Sequence, residues 1–344
     1  MSESNCCCSE TACCDSNASK SIVPVVSTSL SFKDCFGAFK VRWGIARMDY
    51  TVEPGLYAVG IPDDKSPVLV SANYKLTFDT LRKNLEGLDC WLLILDTKGV
   101  NVWCAAGKGT FGTDELISRI EQTGLYEVVS HRQLILPQLG APGVNSNEVA
   151  HRSGFSVVYG PVRAKDIKQY INSGYKATNK MRTVTFNMLD RLILTPMELV
   201  EASRISLIVF GVLFLINLFA TRPFGVNDFI LYTVAILIGA VATPVLLPFI
   251  PGRAFAFKGW FLGAIGIAII VWQFGWFSSP NMLLGIGYLL ALPALSAFIA
   301  MNFTGASTYT SPSGVLKEMK AAIPLIAVSL LAGVVLVLIK TFMG

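Results

Sequence analysis

The chain has 344 residues, of which 53% are hydrophobic and only 15% are charged, and its formal net charge is +5. This composition is too apolar for an ordinary soluble protein of one or two domains. Residues 1–200 carry nearly all of the charge, whereas residues 205–340 are mostly uncharged. The positive charges form no basic cluster, which disfavours nucleic-acid binding.

The N-terminal segment, residues 1–35, is predicted to be a disordered tail, because its serine- and asparagine-rich composition offers little to bury. Its first residues are polar and lack the apolar core of a secretory signal. We therefore expect free thiols in a reducing cytoplasm rather than disulfides. Five of the eight cysteines crowd the start of this tail: Cys6, Cys7, Cys8, Cys13 and Cys14.

Residues 36–180 are predicted to form an α/β domain with a parallel, Rossmann-like sheet, because strand-like and helical patterns alternate along them. The continuous apolar run at 90–96 is typical of a central parallel strand. Thr113 is expected to cap the following helix and Gly124 to end it. Further strands are predicted at 67–72, 127–131 and 155–160, and further helices at 76–88 and 164–174.

Ligands of open α/β sheets bind outside the carboxyl ends of the strands. The segments expected there are 71–74, 97–111, 137–143 and 159–161, and Cys104 lies in the longest of them. An arbitrary cysteine is most often a small buried hydrophobe. Three features favour a functional thiol here: the ligand-facing loop, the small residues that follow Cys104, and a nearby helix start that favours a thiolate.

Two other motifs in this domain are weak. Residues 107–112 match the glycine pattern of a dinucleotide-binding turn, but about ten residues separate them from the preceding strand, where such a turn is tight. The only histidines are His131 and His151, and the domain has no paired cysteine and histidine ligands at zinc-site spacing. Neither a nucleotide site nor a zinc site is favoured.

Residues 181–204 are predicted to be an amphipathic connector. Its Thr195-Pro196-Met197-Glu198 segment has the pattern of a helix N-terminus with a capping box. Beyond it lies an all-α transmembrane domain, residues 205–344, because five apolar runs are each close to the length of a membrane span. These runs lie near 205–220, 229–250, 259–277, 282–302 and 321–339.

The five runs contain no Asp, Glu, Lys or Arg. Carriers of ions usually keep an ionisable residue inside the bilayer, so anchoring or assembly is favoured over transport. The loops on the side of residues 1–200 carry Arg253, Lys258, Lys317 and Lys320, whereas the opposite side has only Arg222, countered by Asp228, and Lys340. The positive-inside rule therefore places residues 1–200 in the cytoplasm. We therefore expect a multi-pass protein of the cytoplasmic membrane, with its C-terminus on the opposite side.

Residues 101–108, Asn-Val-Trp-Cys-Ala-Ala-Gly-Lys, resemble the signature of the membrane corrinoid protein family of microbial mercury methylation (HgcA). The likeness extends from about Phe36 to Lys340 and includes residues 73–79, 136–141 and 159–162. The same three blocks are similar to the corrinoid domain of the corrinoid iron–sulfur protein of acetogens. That protein lacks both this cysteine and the membrane half.

The resemblance implies a methyltransferase that passes a methyl group from a methyl-Co(III) corrinoid to Hg(II), forming methylmercury. It also implies that the Cys104 thiolate is the lower axial ligand of cobalt. The cobalamin-type cofactor would be held by the ligand-facing segments, through Asn73, Thr77, Thr97, Asn101, Val102, Trp103, Cys104, Ala105, Ala106, Gly107, Lys108, Gly109, Thr110, Phe111, Gln138, Leu139, Gly140, Ala141, Tyr159, Gly160 and Pro161.

The partners implied are a ferredoxin-like protein with two [4Fe–4S] clusters as electron donor, a folate-dependent methyl donor system, and Hg(II) held by thiolates as substrate. Two other classes of function stay open. One is a thiol-based membrane metal permease, with the N-terminal cysteines collecting the metal. The other is a dinucleotide-binding membrane oxidoreductase.

Overall fold

The computed structural model describes residues 23–307, 309 and 312–343, which divide into two compact units. Of the described residues, 23–29 and 52–176 form the α/β unit, and those in 30–51 and 177–343 form the helical unit. The tail cysteines lie outside the described residues. Residues 23–35, predicted to belong to the disordered tail, are partly regular: Val25 forms a bridge with Ala58, and helix α1 (Phe32–Arg42) starts behind the Ser31 cap.

The α/β unit is built on one five-stranded sheet in the order β1-β3-β2-β4-β5. Four strands are parallel, and β1 pairs with β3 in the antiparallel direction. This arrangement confirms the predicted α/β fold and adds an edge strand that the sequence pattern did not show. The strands are β1 (Gly55–Val59), β2 (Val68–Ala72), β3 (Cys90–Leu95), β4 (Gln133–Leu136) and β5 (Ser156–Tyr159).

Five helices and one 3₁₀ turn connect these strands, and a second 3₁₀ turn and a sixth helix follow β5. The central strands β2 and β3 are buried along almost their whole length, which explains their continuous apolar sequence. The helices are α2 (Lys75–Lys83), α3 (Val102–Lys108), α4 (Thr113–Gln122), α5 (Leu125–Val128), α6 (Ser146–Ser153) and α7 (Ile167–Asn172), and the 3₁₀ turns are Gln138–Gly143 and Ala164–Asp166.

Two local predictions in this unit are wrong. Residues 127–131 are not a strand, because the chain turns at Gly124 (φ +59°) into the short helix α5 and reaches the sheet only at Gln133. Thr113 does not cap α4: the cap is Gly112, and the Thr113 hydroxyl accepts a 2.9 Å hydrogen bond from the backbone N–H of Asn145. For Thr113, a contact with a distant segment decides the local structure.

The helical unit contains five segments that are long and apolar enough to cross a membrane, which confirms the predicted number of spans. They are 188–217, 226–246, 255–273, 282–305 and 313–343. After α8 (Asn179–Arg182), the helices are α9 (Met188–Leu192), α10 (Thr195–Asn217), α11 (Val226–Leu237), α12 (Thr243–Leu246), α13 (Phe255–Gln273), α14 (Met282–Asn302) and α15 (Pro312–Met343), and a π-helical turn (Ile238–Ala242) joins α11 to α12.

The capping box predicted at Thr195 is not formed. Leu194 already has helical dihedral angles, and the Thr195 hydroxyl donates a 2.9 Å hydrogen bond to the Leu192 carbonyl. The helix begins at Thr195, one residue earlier than predicted, and Pro196 lies in its first turn.

The candidate spans are not free of charge in the structure, because the helices extend beyond the apolar runs. Asp228 lies in the first turn of α11 and is 6% exposed. It accepts a 2.6 Å hydrogen bond from the Tyr288 hydroxyl and lies 3.2 Å from the Arg222 guanidinium. Lys258 in α13 is also buried and donates to the Leu247 carbonyl. Both charges have partners, as charges in a low-dielectric setting require.

Candidate functional site

The candidate site lies at the edge of the sheet where the parallel strands end. Strand β2 lies between β3 and β4, so the chain moves from one side of β2 to the other after β3. Such a switch point is where open α/β sheets bind ligands. The segments that leave this edge are the four that the sequence predicted.

Asn73 joins the ends of β2 and β3. It is 5% exposed, and its side-chain oxygen accepts hydrogen bonds from the Thr97 backbone N–H (3.1 Å), the Thr97 hydroxyl (2.9 Å) and the Gly99 N–H (3.2 Å). Its amide nitrogen donates to Asp96 (3.2 Å). Thr97 is fully buried, and its hydroxyl lies 2.7 Å from the Val100 carbonyl, so its single hydrogen is shared between this oxygen and that of Asn73. These two predicted site residues therefore shape the loop that leads to α3.

Helix α3 is short and has a defined beginning and end. The Asn101 side chain caps it by accepting a 2.9 Å hydrogen bond from the Cys104 backbone N–H. Gly109 ends it with φ +81°, a left-handed conformation that favours glycine. The predicted site residues 102–108 thus form one helix that follows β3 through a capped loop.

The two faces of α3 have different surroundings. Val102, Ala105 and Ala106 belong to the hydrophobic core of the α/β unit. Trp103 is 42% exposed and Cys104 is partly exposed on the other side. The Cys104 thiol has no hydrogen-bond partner among the residues that the structure describes. A sulfur donor therefore faces outward from a helix whose opposite face is held in the core.

Glycines bring α3 close to the segment that follows β4. A side chain at Gly143 would collide with the Phe111 carbonyl oxygen and come within 3.0 Å of the Ala106 Cα. A side chain at Gly140 would come within 2.6 Å of the Phe111 ring, which is fully buried. In contrast, a side chain at Gly107 would meet nothing within 4 Å. The helix is closely packed on one side and open at Gly107.

The other predicted site residues are distributed around the same edge. Thr77 lies in the first turn of α2, Lys108 is exposed at the end of α3, and Gln138, Leu139 and Ala141 lie in the 3₁₀ turn after β4. Tyr159 ends β5 and donates a 3.0 Å hydrogen bond to the Val144 carbonyl, and its burial raises the pKa of the phenol. Gly160 and Pro161 are buried beside it.

The Thr110 hydroxyl is buried, and the described residues offer it no hydrogen-bond partner. Such an orphan group in a native fold usually has a ligand, an ion or a water molecule as partner. Thr110 follows the end of α3 directly, so this unsatisfied group belongs to the candidate site.

Sequence reasoning missed Asp96, the residue that follows β3. Burial would raise the pKa of its carboxyl group, but hydrogen bonds from the Lys98 side chain and backbone outweigh that effect and hold the pKa below its usual range. Its own backbone N–H donates to Glu115 (2.8 Å), which also binds Arg119. An acidic residue directly after a buried strand was the available signal.

The geometry does not support a dinucleotide-binding turn at residues 107–112. Gly107 lies inside α3, Gly109 ends that helix, and Gly112 caps α4. The glycines therefore shape two helix ends and do not form the tight strand-to-helix turn that holds a pyrophosphate.

A family model described as "CO dehydrogenase/acetyl-CoA synthase delta subunit" matches residues 43–171. The chain is also similar to proteins named acetyl-CoA decarbonylase/synthase complex subunit gamma. It is 34% identical over 131 residues to that of Methanocaldococcus jannaschii, covering 38% of this chain and 26% of the relative. For Methanopyrus kandleri the identity is 35% over 122 residues, covering 35% of this chain and 26% of the relative.

The chain thus spans about a quarter of the length of these relatives. The family match includes the sheet, α3 and the segments at the strand ends, and it ends before the first candidate span. These comparisons support the relation to the corrinoid domain of the corrinoid iron–sulfur proteins. They concern the α/β unit and not the five apolar helices.

Proposed function

We propose that this chain is a membrane-anchored, corrinoid-dependent methyltransferase that transfers a methyl group to Hg(II) and forms methylmercury. The α/β unit would bind the corrinoid, and the Cys104 thiolate would be the lower axial ligand of its cobalt. The relation to corrinoid domains supports the cofactor. Mercury as the methyl acceptor rests on the resemblance of residues 101–108 to the mercury-methylation family.

The observation that carries the proposal is the state of Cys104. Its thiol is partly exposed, has no partner among the described side chains, and lies on a helix at the ligand-binding edge of the sheet. A structural cysteine would instead be buried like Cys90, which is 0% exposed within β3.

The residues at this edge fit a corrinoid. The described part of the chain contains no group of three or more His, Cys, Asp or Glu side chains that could hold a bare metal ion. A corrinoid would bring its own ligands for cobalt, so a single donor from the protein would suffice. Cys104 offers that donor, and the unpaired Thr110 hydroxyl offers a polar contact.

The chain would hold the cofactor largely through loop backbone and small side chains. Gly107 leaves open space beside Cys104, so a flat group can approach the α3 backbone there. Four of the predicted site residues have side chains that are packed in the core: Val102, Ala105, Ala106 and Phe111. These residues would contact the corrinoid through their backbone atoms. Asn73 and Thr97 would act by fixing the loop that carries α3.

A bound corrinoid would supply a cobalt ion able to carry a methyl group, which is chemistry that protein side chains lack. Cys104 would hold the cobalt through its sulfur, and a metal-bound thiol is deprotonated to a thiolate. A thiolate donates electrons strongly to the metal that it binds, and this donation would favour transfer of the methyl group to an electrophilic Hg(II).

The proposed partners rest on the resemblance of residues 101–108 to the mercury-methylation family. A ferredoxin-like protein with two [4Fe–4S] clusters would supply the electrons. A folate-dependent system would supply methyl groups, and Hg(II) thiolates would be the substrate. The five apolar helices would anchor the chain in the cytoplasmic membrane, with the α/β unit in the cytoplasm.

The test is an absorption spectrum of the purified full-length protein after expression with a supply of corrinoid. We expect bound corrinoid, and methylmercury when Hg(II), a methyl donor and a reducing partner are added. Binding of a nicotinamide nucleotide without corrinoid would favour the oxidoreductase class. Mercury uptake by vesicles that hold this protein alone, without methylation, would favour the permease class.

A further inference from the structure

Helix α1 carries an exposed aromatic stripe that the proposed function does not use. Phe32, Phe36, Phe39 and Trp43 are 84%, 50%, 55% and 37% exposed. Their spacing of four, three and four residues places them within an arc of roughly 60° on one face of the helix. The Phe32 and Phe36 rings stack at 6.1 Å, and Phe39 and Trp43 are equally close. The stripe thus consists of two aromatic pairs along the same face of the helix.

The opposite face of α1 is packed within the helical unit. Gly37 and Val41 are buried, and Gly37 lies directly against the Tyr50 ring, whose hydroxyl donates to the Asp34 carbonyl (3.3 Å). The helix therefore already has one face in the core, and the outward-facing aromatic stripe is not a substitute for it. It is a second apolar surface, and no described residue covers it.

Basic residues border the stripe on both sides. Lys33 and Lys40 lie along one border and Arg42 along the other, by the same helical geometry. The Lys40 ammonium lies 5.5 Å from the centre of the Phe36 ring. Long basic side chains can cover apolar surface with their aliphatic stems while the charge stays in water. This border is therefore suited to the interface between a lipid bilayer and water.

The chain after α1 packs against the start of the first candidate span. Gly44 lies beside Met197 and Val200, close enough for a side chain at this position to contact both residues. Trp43 borders a cavity of about 310 Å³ together with Leu199 and Val200. These residues of α10 adjoin Glu198, Glu201 and Arg204, after which the helix is uncharged to its end. The stripe therefore lies beside the part of α10 that would enter the bilayer.

We infer that α1 is an interfacial helix that lies in the headgroup region of the membrane and binds anionic lipid. Its aromatic stripe inserts towards the acyl chains, and Lys33, Lys40 and Arg42 contact lipid phosphates. Aromatic side chains with a basic border are characteristic of helices that lie in the plane of a membrane. The contact of Gly44 with α10 distinguishes this surface from a general protein-binding patch, because it places the stripe beside a membrane span.

The first test uses the full-length protein in lipid nanodiscs, with the photoreactive residue benzoylphenylalanine in place of Phe36. The control carries it in place of Ile61, an apolar residue of the α/β unit that is 90% exposed. After illumination, mass spectrometry measures covalent lipid adducts. We expect severalfold more lipid adducts at position 36 than at position 61. Cross-links to a second copy of the chain, or equal lipid labelling at both positions, would overturn the inference.

The second test examines the charge. Lys33→Glu with Lys40→Glu should lower lipid labelling from position 36 severalfold in nanodiscs that contain phosphatidylglycerol, but not in neutral phosphatidylcholine. The matched control makes the same change of charge at the exposed Lys65 and Lys83 of the α/β unit and should have no effect. An equal loss in both lipids, or no loss in either, would show that anionic lipid is not the partner.

Discussion

The Asn101 side chain accepts a 2.9 Å hydrogen bond from the backbone N–H of Cys104. This bond fixes the first turn of α3, and with it the backbone position of the only thiol at the candidate site among the described residues. Because the cap uses the backbone of Cys104 and not its sulfur, the thiol keeps its capacity to bind a ligand.

The first prediction concerns that sulfur. Cys104→Thr keeps a small polar side chain and the Asn101 cap, but it removes the soft anionic donor that a metal-bound thiolate supplies. We expect a folded protein with a shifted corrinoid absorption spectrum and little or no methylmercury formation. Cys35→Ser, at an exposed cysteine of α1, is the control and should behave like the wild type. An unchanged spectrum and activity in Cys104→Thr would falsify the proposed thiolate ligand.

The second prediction concerns the open side of α3. Alanine at Gly107 meets no neighbour and replaces a glycine inside a helix, which should stabilise the cofactor-free protein by up to about 1 kcal/mol. If the corrinoid lies against Gly107, the added methyl group should lower corrinoid retention on gel filtration severalfold. Retention equal to the wild type would place the cofactor elsewhere.

The third prediction concerns the packed side of α3. Gly143→Ala would press a Cβ against the Phe111 carbonyl and the Ala106 Cα, which are rigid backbone atoms. Overpacking of this kind costs about 1–3 kcal/mol. We expect a lower denaturation midpoint by tryptophan fluorescence even without corrinoid, the opposite of Gly107→Ala. If both alanine variants unfold at the same midpoint, the close approach of α3 to this turn is not present in solution.

The fourth prediction concerns the loop that positions α3. Asn73→Ala leaves the buried N–H groups of Thr97 and Gly99 without their acceptor, at a cost of about 1–3 kcal/mol per buried group. Loss of the α3 cap in Asn101→Ala should cost only about 1 kcal/mol. Hydrogen exchange should therefore accelerate across residues 97–111 more in Asn73→Ala than in Asn101→Ala. The reverse order would show that Asn73 does not organise this loop.

The fifth prediction is a pH dependence of stability. Burial raises the pKa of the Cys90 thiol from 9.0 to about 12. Because the folded state holds the proton more tightly, this contribution to stability is complete below about pH 9 and is lost as the pH rises towards 12. Because of Cys90, the free energy of unfolding of the wild type should fall by about 1.4 kcal/mol between about pH 8 and pH 10.

Replacing Cys90 by alanine removes this proton linkage, so the stability of Cys90→Ala should fall less steeply over the same range. Chemical denaturation followed by tryptophan fluorescence measures both slopes. The control is Cys35→Ser, which removes an exposed thiol and should keep the pH dependence of the wild type. Parallel curves for the wild type and Cys90→Ala would contradict a buried, protonated thiol at this position.

Local sequence patterns determined the features whose cause is local. The five candidate spans follow from apolar runs of sufficient length, and the strands at 68–72, 90–95 and 156–159 follow from short apolar runs between turn residues. The position of Cys104 after a buried strand was likewise readable. The family resemblance directed attention to it, and its role as a cobalt ligand stays a prediction.

Only the tertiary structure decided the features that depend on residues far apart in the chain. Thr113 bonds to Asn145 instead of capping its own helix, and Asn73 binds the loop at Thr97 across two strands. The periodicity of the sequence does not predict that Ala106 lies against Gly143, or that Cys104 faces outward from the same helix. The physical reason is that burial and hydrogen bonding between distant segments outweigh local preferences, whose free energies are a fraction of those of the long-range contacts.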